Sequence, residues 1–368
     1  MPSRKLPAVT GALVLAAVSC SAPKPPDAPG PRAVYVTNWA SDTISSFATE
    51  ADGALRAPAT SLSVGTGATH PQASVRSRDG KWLYVGNWGT RDVTPIRIEA
   101  NGALTPFPSA PGPAPQPVTP SGIALSPAGT ALYTANFGNG GDGTVSQYRV
   151  SPGGQPHGVR TIPAHGRATT GLAVAPDGRS LVTANSGSGD VSAFRIAPDG
   201  SLTWVATVPT GAGAFFVAIT PDSGRVLVTN SKADSLSVLR LSADSGLTPV
   251  ASVANAASEP RGIVLNRTGD RAYVANFADG TGPGHITAFS VDGKTLRPLG
   301  PPVATGSNGA EGITLSSDGK TLYNANFNTN GAGSVTSYPI ATDGAVGPAR
   351  PPVLTGGRQP DLTSVTAP

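Results

Sequence analysis

The segment "TLYNANFNTNGAG", Thr321–Gly333, has relatives at "AVYVTNWASD" from Ala33, "WLYVGNWGTRD" from Trp82, "ALYTANFGNGGD" from Ala131 and "RAYVANFADG" from Arg271. Each is an apolar run closed by an asparagine. Aligning that asparagine through the chain gives Asn38, Asn87, Asn136, Asn185, Asn230, Asn276 and Asn326, with spacings of 49, 49, 49, 45, 46 and 50 residues. A self-similar unit of roughly 40 to 50 residues that divides into four short strands is the signature of one propeller blade. Seven copies predict an all-β chain: a seven-bladed β-propeller with four antiparallel strands per blade.

One unit shows the internal order. "TTGLAVAPDG" is followed by "RSLVTANSGSGD", "VSAFRIAPDG" and "SLTWVATVPTG". The first and third strands end in Pro-Asp-Gly-type turns, in which glycine supplies positive φ and aspartate bonds its own backbone. Composition agrees, with 46 Gly, 37 Pro and 13% charged residues and no long stretch of helical periodicity. The repeat begins at Ala33 with a second-strand sequence and finishes with "QPDLTSVTAP", a first-strand sequence. Pairing the two predicts a ring closed by the C-terminal strand joining the N-terminal blade, which leaves no blade lacking its inner strand.

The residues before Ala33 have a different character. Arg4 and Lys5 precede an apolar stretch from Ala8 to Val18 and then "AVSC", which is an export signal and too short for a bilayer span. "AVSC" resembles a bacterial lipobox, so residues 1–19 are expected to be a lipoprotein signal peptide and Cys20 the lipidated first residue of the mature chain. Residues 20–32 then hold this cysteine and a Pro-rich linker, and residues 33–368 the propeller. The expected location is extracytoplasmic, anchored by lipid to a bacterial membrane. As the sole cysteine, Cys20 leaves the domain no disulfide. Losing Arg4 and Lys5 lowers the formal charge from +4 to +2, and no basic stripe suggests nucleic acid. No metal pattern or cofactor fingerprint is present, so no cofactor is expected.

An asparagine present in all seven units is most simply architectural, bonding backbone groups where the second strand turns into its loop. The aromatics after it (Trp39, Trp88, Phe137, Phe277, Phe327) are expected to pack near one rim, and the repeated Asp42, Asp92, Asp142, Asp190 and Asp234 to make Asx-type turns.

The Tyr-Val-Thr-Asn element with its "SPDG"-like turns resembles the YVTN-repeat propellers and the related seven-bladed lactonase family that includes 6-phosphogluconolactonases; the similarity covers residues 33 to 368. Enzymatic members of that family share an inner strand opening Gly-Pro-Arg-His and, sixteen residues after the Arg, a Glu directly after the strand-ending Asn. In this chain "EPRGIVLNRTGDRAYVANF" keeps Pro260 and Arg261, but Gly262 stands at the His position and Phe277 at the Glu position. Phe215 stands where a His is expected one blade earlier. The resemblance thus implies lactone chemistry in general, with only Arg261 of the catalytic set retained here.

Counting seven residues back from the first turn gives one equivalent position per blade: Asp361, Gln72, Ser121, Thr170, Phe215, Arg261 and Glu311. These are expected to line the upper end of the central channel. The charged three fall on consecutive blades, an asymmetry the fold does not require. Arg261, Glu311 and Asp361, with Gln72 and with His70 just before it, are therefore the candidate ligand-binding residues; the alternative is an ion cluster plugging the channel. Long loops in blades 3, 6 and 7 and His285 lie on the same rim. The expected function is a binding module for a small-molecule ligand or an envelope protein at that rim, monomeric, with the membrane touched only through the lipid. A lactone hydrolase using a rearranged site around Arg261 is the alternative.

Overall fold

The computed structural model describes residues 33–56, 60–65, 67, 69–113, 119–278, 282–328 and 331–360. Its sheets are seven, arranged as blades in chain order. In blade 4 the strands Thr169–Val174, Ser180–Asn185, Asp190–Ile196 and Leu202–Pro209 are neighbours in that order, and all pair antiparallel. Blades 2 and 6 have a fourth strand broken in two, Leu104–Pro106 with Ala110–Pro111 and Leu296–Pro298 with Val303–Asn308. Proline explains the breaks. "PFPSAP" and "PLGPPV" place residues without an N–H where a continuous ladder would need donors.

Blade 1 contains Ala33–Asn38, Thr43–Ala48 and Thr60–Ser63. Its inner partner comes from the other end of the chain: Pro360 bridges Asn38, and the Trp39 amide donates to the Gln359 carbonyl at 2.9 Å. The ring closes as the sequence predicts, although residues 361–368 lie outside the described residues. A second tie at the same junction joins turn to strand. Tyr323 of blade 7 donates its hydroxyl to the Gly53 carbonyl of blade 1 at 3.0 Å, and Arg350 pairs with Asp52 at 3.1 Å. Tyr133 to Gly200 and Tyr273 to Gly344 repeat the tyrosine latch between blades 3 and 4 and blades 6 and 7.

No single core holds the molecule together. The buried apolar residues form seven clusters, each between two successive blades. Val182, Val191, Val226 and Leu239 lie between blades 4 and 5, and Val34, Phe47, Tyr323 and Val335 between blades 1 and 7. The remaining five fill the other junctions. This follows from the strand pattern. The inner, second and third strands are apolar on both faces because each face packs on a neighbouring blade, while outer strands such as Leu247–Ala254 are mostly exposed.

All seven strand-ending asparagines are fully buried. The sequence reading expected them to bond backbone groups, and the structure corrects this. Asn38 donates through Nδ2 to Thr43 and Ser45, Asn87 to Asp92 and Thr94, Asn136 to Thr144 and Ser146, and Asn230 to Ser235 and Ser237. The acceptors are side chains two residues apart on the third strand, the polar-apolar-polar start of that strand. Period two puts both on one face, opposite the asparagine. Asn276 alone departs, donating to the His285 carbonyl as well as to Thr287. Four of the five repeated aspartates divide between two tasks. Asp92 and Asp190 accept from the asparagine of their own blade, whereas Asp42 and Asp234 accept the backbone N–H of His70 and Glu259, which open the next blade.

Candidate functional site at the channel mouth

Six of the seven inner strands begin in the same way. The residue before it has left-handed backbone: His70 at φ 53°, Ala168 at 49°, Glu259 at 51°, Gln359 at 49°, and glycine at Gly213 and Gly309; Thr119 of blade 3 is the exception. Directly after the first paired residue the register slips, between Pro71 and Ala73, Thr169 and Gly171, Pro260 and Ile263, and Ala310 and Ile313. The residues skipped by the ladder include Gln72, Thr170, Arg261 and Glu311. The predicted ring is therefore a ring of β-bulges, and a bulge re-aims the side chain it frees.

Two of the charged ring residues meet. Arg261 donates from Nη1 to Glu311 Oε1 at 2.5 Å, and the Glu311 side chain is only 2% exposed. A second carboxylate, Glu259, accepts from Arg261 Nη2 at 3.4 Å and is 37% exposed. The guanidinium carbon lies 3.3 Å from the Phe277 ring centroid and 5.2 Å from that of Phe215. Arg261 is thus a cation held by two carboxylates and two aromatic faces, a geometry that suits the flat, weakly hydrated guanidinium. Burial pushes the Glu311 carboxyl above the usual carboxylate range; Arg261 pulls against that, and Glu259 adds to it. Three buried polar atoms of the ring have no hydrogen-bond partner among the described residues: Glu311 Oε2, Arg261 Nε and Gln72 Oε1.

The other candidates fall elsewhere. Asp361 lies outside the described residues, as does Cys20. His70 packs at a tilt against Trp39 with centroids 4.5 Å apart and opens blade 2, which blades 7 and 1 separate from blade 6; among the described residues nothing joins it to Arg261. Gln72 is buried, its carbonyl accepting from Thr37 at 3.3 Å. His285 sits in the third strand of blade 6 and offers its carbonyl to Asn276. Glu259 was not singled out from the sequence, although its place two residues before Arg261 was a usable signal. The rim aromatics pair across blades, Trp88 with Phe137 and Phe277 with Phe327, at 5.3 and 5.7 Å between centroids.

Chemically the mouth offers a cation already neutralised. Opening a lactone needs a group to move a proton and a free donor to hold the carbonyl oxygen as charge builds. At the family's His position, a Cβ on Gly262 would come 2.3 Å from the Glu311 carbonyl oxygen and 3.0 Å from Ile313. The backbone of blade 7 occupies that space. At the family's Glu position, the Phe277 ring covers Arg261. Clefts of about 840 and 610 Å³ open at turns and strand ends on the rim away from these bulges, between blades 2 to 4 and between blades 6 and 7; both form where successive first and third turns face each other, so they follow from the repeat.

The family pattern described as "Lactonase, 7-bladed beta-propeller" matches residues 109–281 and 257–364, together more than half of the chain. No curated protein matches by sequence. Among solved structures, the periplasmic gluconolactonase PpgL of Pseudomonas aeruginosa superposes with a TM-score of 0.75 at 19% identity, over 91% of this chain and 98% of that one. A protein proposed to be a 6-phosphogluconolactonase from Bacteroides uniformis gives 0.75 at 17% identity, over 92% and 99%. A functionally unknown protein from Desulfotomaculum acetoxidans gives 0.73 at 16%, over 91% and 98%. At these identities the likeness is one of fold.

Proposed function

We propose, from the premise that this chain belongs to the lactonase family of seven-bladed β-propellers, that it is an exported, lipid-anchored binding module which receives a polar small molecule at the channel mouth. The observation that carries this reading is the Phe277 ring covering the Arg261 guanidinium, in the position where the enzymatic relatives resemble one another in carrying a Glu. Arg261, Glu259 and Glu311 hold and orient the ligand, Gln72 adds an acceptor on the same ring, and the half-buried aromatics wall the rim. An envelope protein docking on the same rim is the other partner class, and the module acts as a monomer.

The test is direct. Purified protein should turn over neither gluconolactone nor its 6-phosphate, with or without added divalent metal, while a thermal-shift screen of polar metabolites should find a ligand whose stabilisation disappears in Arg261→Ala. Sustained lactone turnover lost in that variant would instead establish the second reading, a hydrolase with a rearranged site. The structural likeness to a periplasmic gluconolactonase is what keeps this second reading in play.

The anchor rests on the sequence around Cys20. Among the described residues no helix is long and apolar enough to cross a membrane. Cys20→Ser should move the protein from the membrane pellet to the soluble fraction and abolish labelling by a radioactive fatty acid. Retention in the pellet would refute lipidation.

A further inference from the structure

We propose, resting on the binding reading of this mouth, that the group received there is an organic ammonium, a primary amine carried by a small polar molecule, and not an anionic sugar acid or phosphate. The argument begins with charge. Two carboxylates, Glu259 and Glu311, face one guanidinium, and among the described residues Arg261 is the one cation paired with either. A site built for an anion needs a free cation; this one places carboxylates on two of the guanidinium nitrogens. A phosphate or carboxylate brought to Arg261 would sit against both acids, whereas an ammonium would be attracted by both.

Hydrogen-bonding capacity points the same way. Glu311 Oε2 is a buried carboxylate oxygen to which, among the described residues, nothing donates, on a side chain 2% exposed. Leaving such an atom unpaired is costly, and an ammonium presents three donors with no competing acceptor. Arg261 Nε, also buried and without a partner among the described residues, requires an acceptor on the same molecule, which a hydroxyl beside the amine supplies. Glu259, more than a third exposed, stands between solvent and the buried pair and gives an incoming cation its first contact. A divalent metal fits less well. Arg261 already pairs with both carboxylates, and a metal would have to displace it.

The experiment is calorimetric titration of the mature protein in detergent at pH 7 with three probes of one skeleton: glucamine, sorbitol and gluconate. They differ in carrying an ammonium, a hydroxyl or a carboxylate at one end. Glucamine should bind at least tenfold more tightly than either of the others. Glu311→Gln should erase that preference, and Glu259→Gln, at a more exposed position that leaves folding intact, should weaken glucamine several-fold without strengthening sorbitol. Equal or tighter binding of sorbitol or gluconate would overturn the ammonium assignment while leaving the binding module standing. Binding of none of the three would overturn the assignment, the module itself then being decided by the metabolite screen. Lactone turnover would overturn the module.

Discussion

Arg261→Ala should lower the melting temperature by roughly 5 to 10 °C at pH 8 and by much less near pH 4. Removing one partner of a buried ion pair costs about 3–5 kcal/mol, because the other charge is left without compensation. In a domain of this size each kcal/mol moves the midpoint by about 2 °C. The lower part of that range applies because the Arg261 side chain is itself 21% exposed. The pH dependence follows from Glu311. Its folded carboxyl titrates above the usual carboxylate range through burial, and the variant loses the one cation opposing that shift. A group whose folded pKa is raised stabilises the fold below its unfolded pKa, about 4.3 for Glu, and loses that contribution as pH rises through the folded value. The variant therefore approaches wild type in acid, where Glu311 is protonated in both states, and falls away from it as the pH rises. Parallel melting curves at pH 4, 6 and 8 measure this. A difference that does not change with pH would mean that Glu311 does not depend on Arg261 for its charge.

Gly262→His, which restores the family's histidine, should destabilise the protein without creating hydrolysis. The new Cβ would meet the Glu311 carbonyl oxygen at 2.3 Å, a backbone atom of the next blade's inner strand that cannot rotate away. Overpacking a filled interior costs about 1–3 kcal/mol and more where backbone has to move, so a loss of about 3 kcal/mol or more is expected in urea denaturation. Gly122 and Gly171 stand at the corresponding places in blades 3 and 4, where a Cβ would lie 2.7 Å from the Thr170 and Phe215 carbonyl oxygens. Glycine here permits blades to approach, and histidine in any of the three should behave alike. A stable Gly262→His protein that opens lactones would show that the blade 6 to blade 7 junction can widen, and would restore the enzymatic reading.

Much of the fold was legible in the chain because a repeat states its rule seven times. The period located Asn38 through Asn326, and all seven proved buried at the ends of second strands. Their partners were less legible. The asparagine-to-hydroxyl bonds run between strands, and the short polar-apolar-polar motif that supplies the acceptors differs from blade to blade, as Thr43 and Ser45, Asp92 and Thr94, and Ser235 and Ser237 illustrate. At the mouth, counting back from the first turn selected the bulged positions, since the distance along one strand is fixed by its own backbone. It could not select Glu259, whose importance depends on a left-handed residue folding its carboxylate back over Arg261.

Periodicity, turn chemistry and the complementary ends of the repeat determined by themselves that this chain is a closed seven-bladed ring, because each concerns residues close in sequence or a pattern repeated whole. Which of the ring side chains touch, and which neighbour joins them, was decided only by the tertiary structure. Glu311 is 50 residues from Arg261, and His70, equally conspicuous in the sequence, opens a blade on the other side of the ring. Contact between side chains of neighbouring blades depends on the rotation from one blade to the next, a quantity set by packing between sheets and written in no single strand.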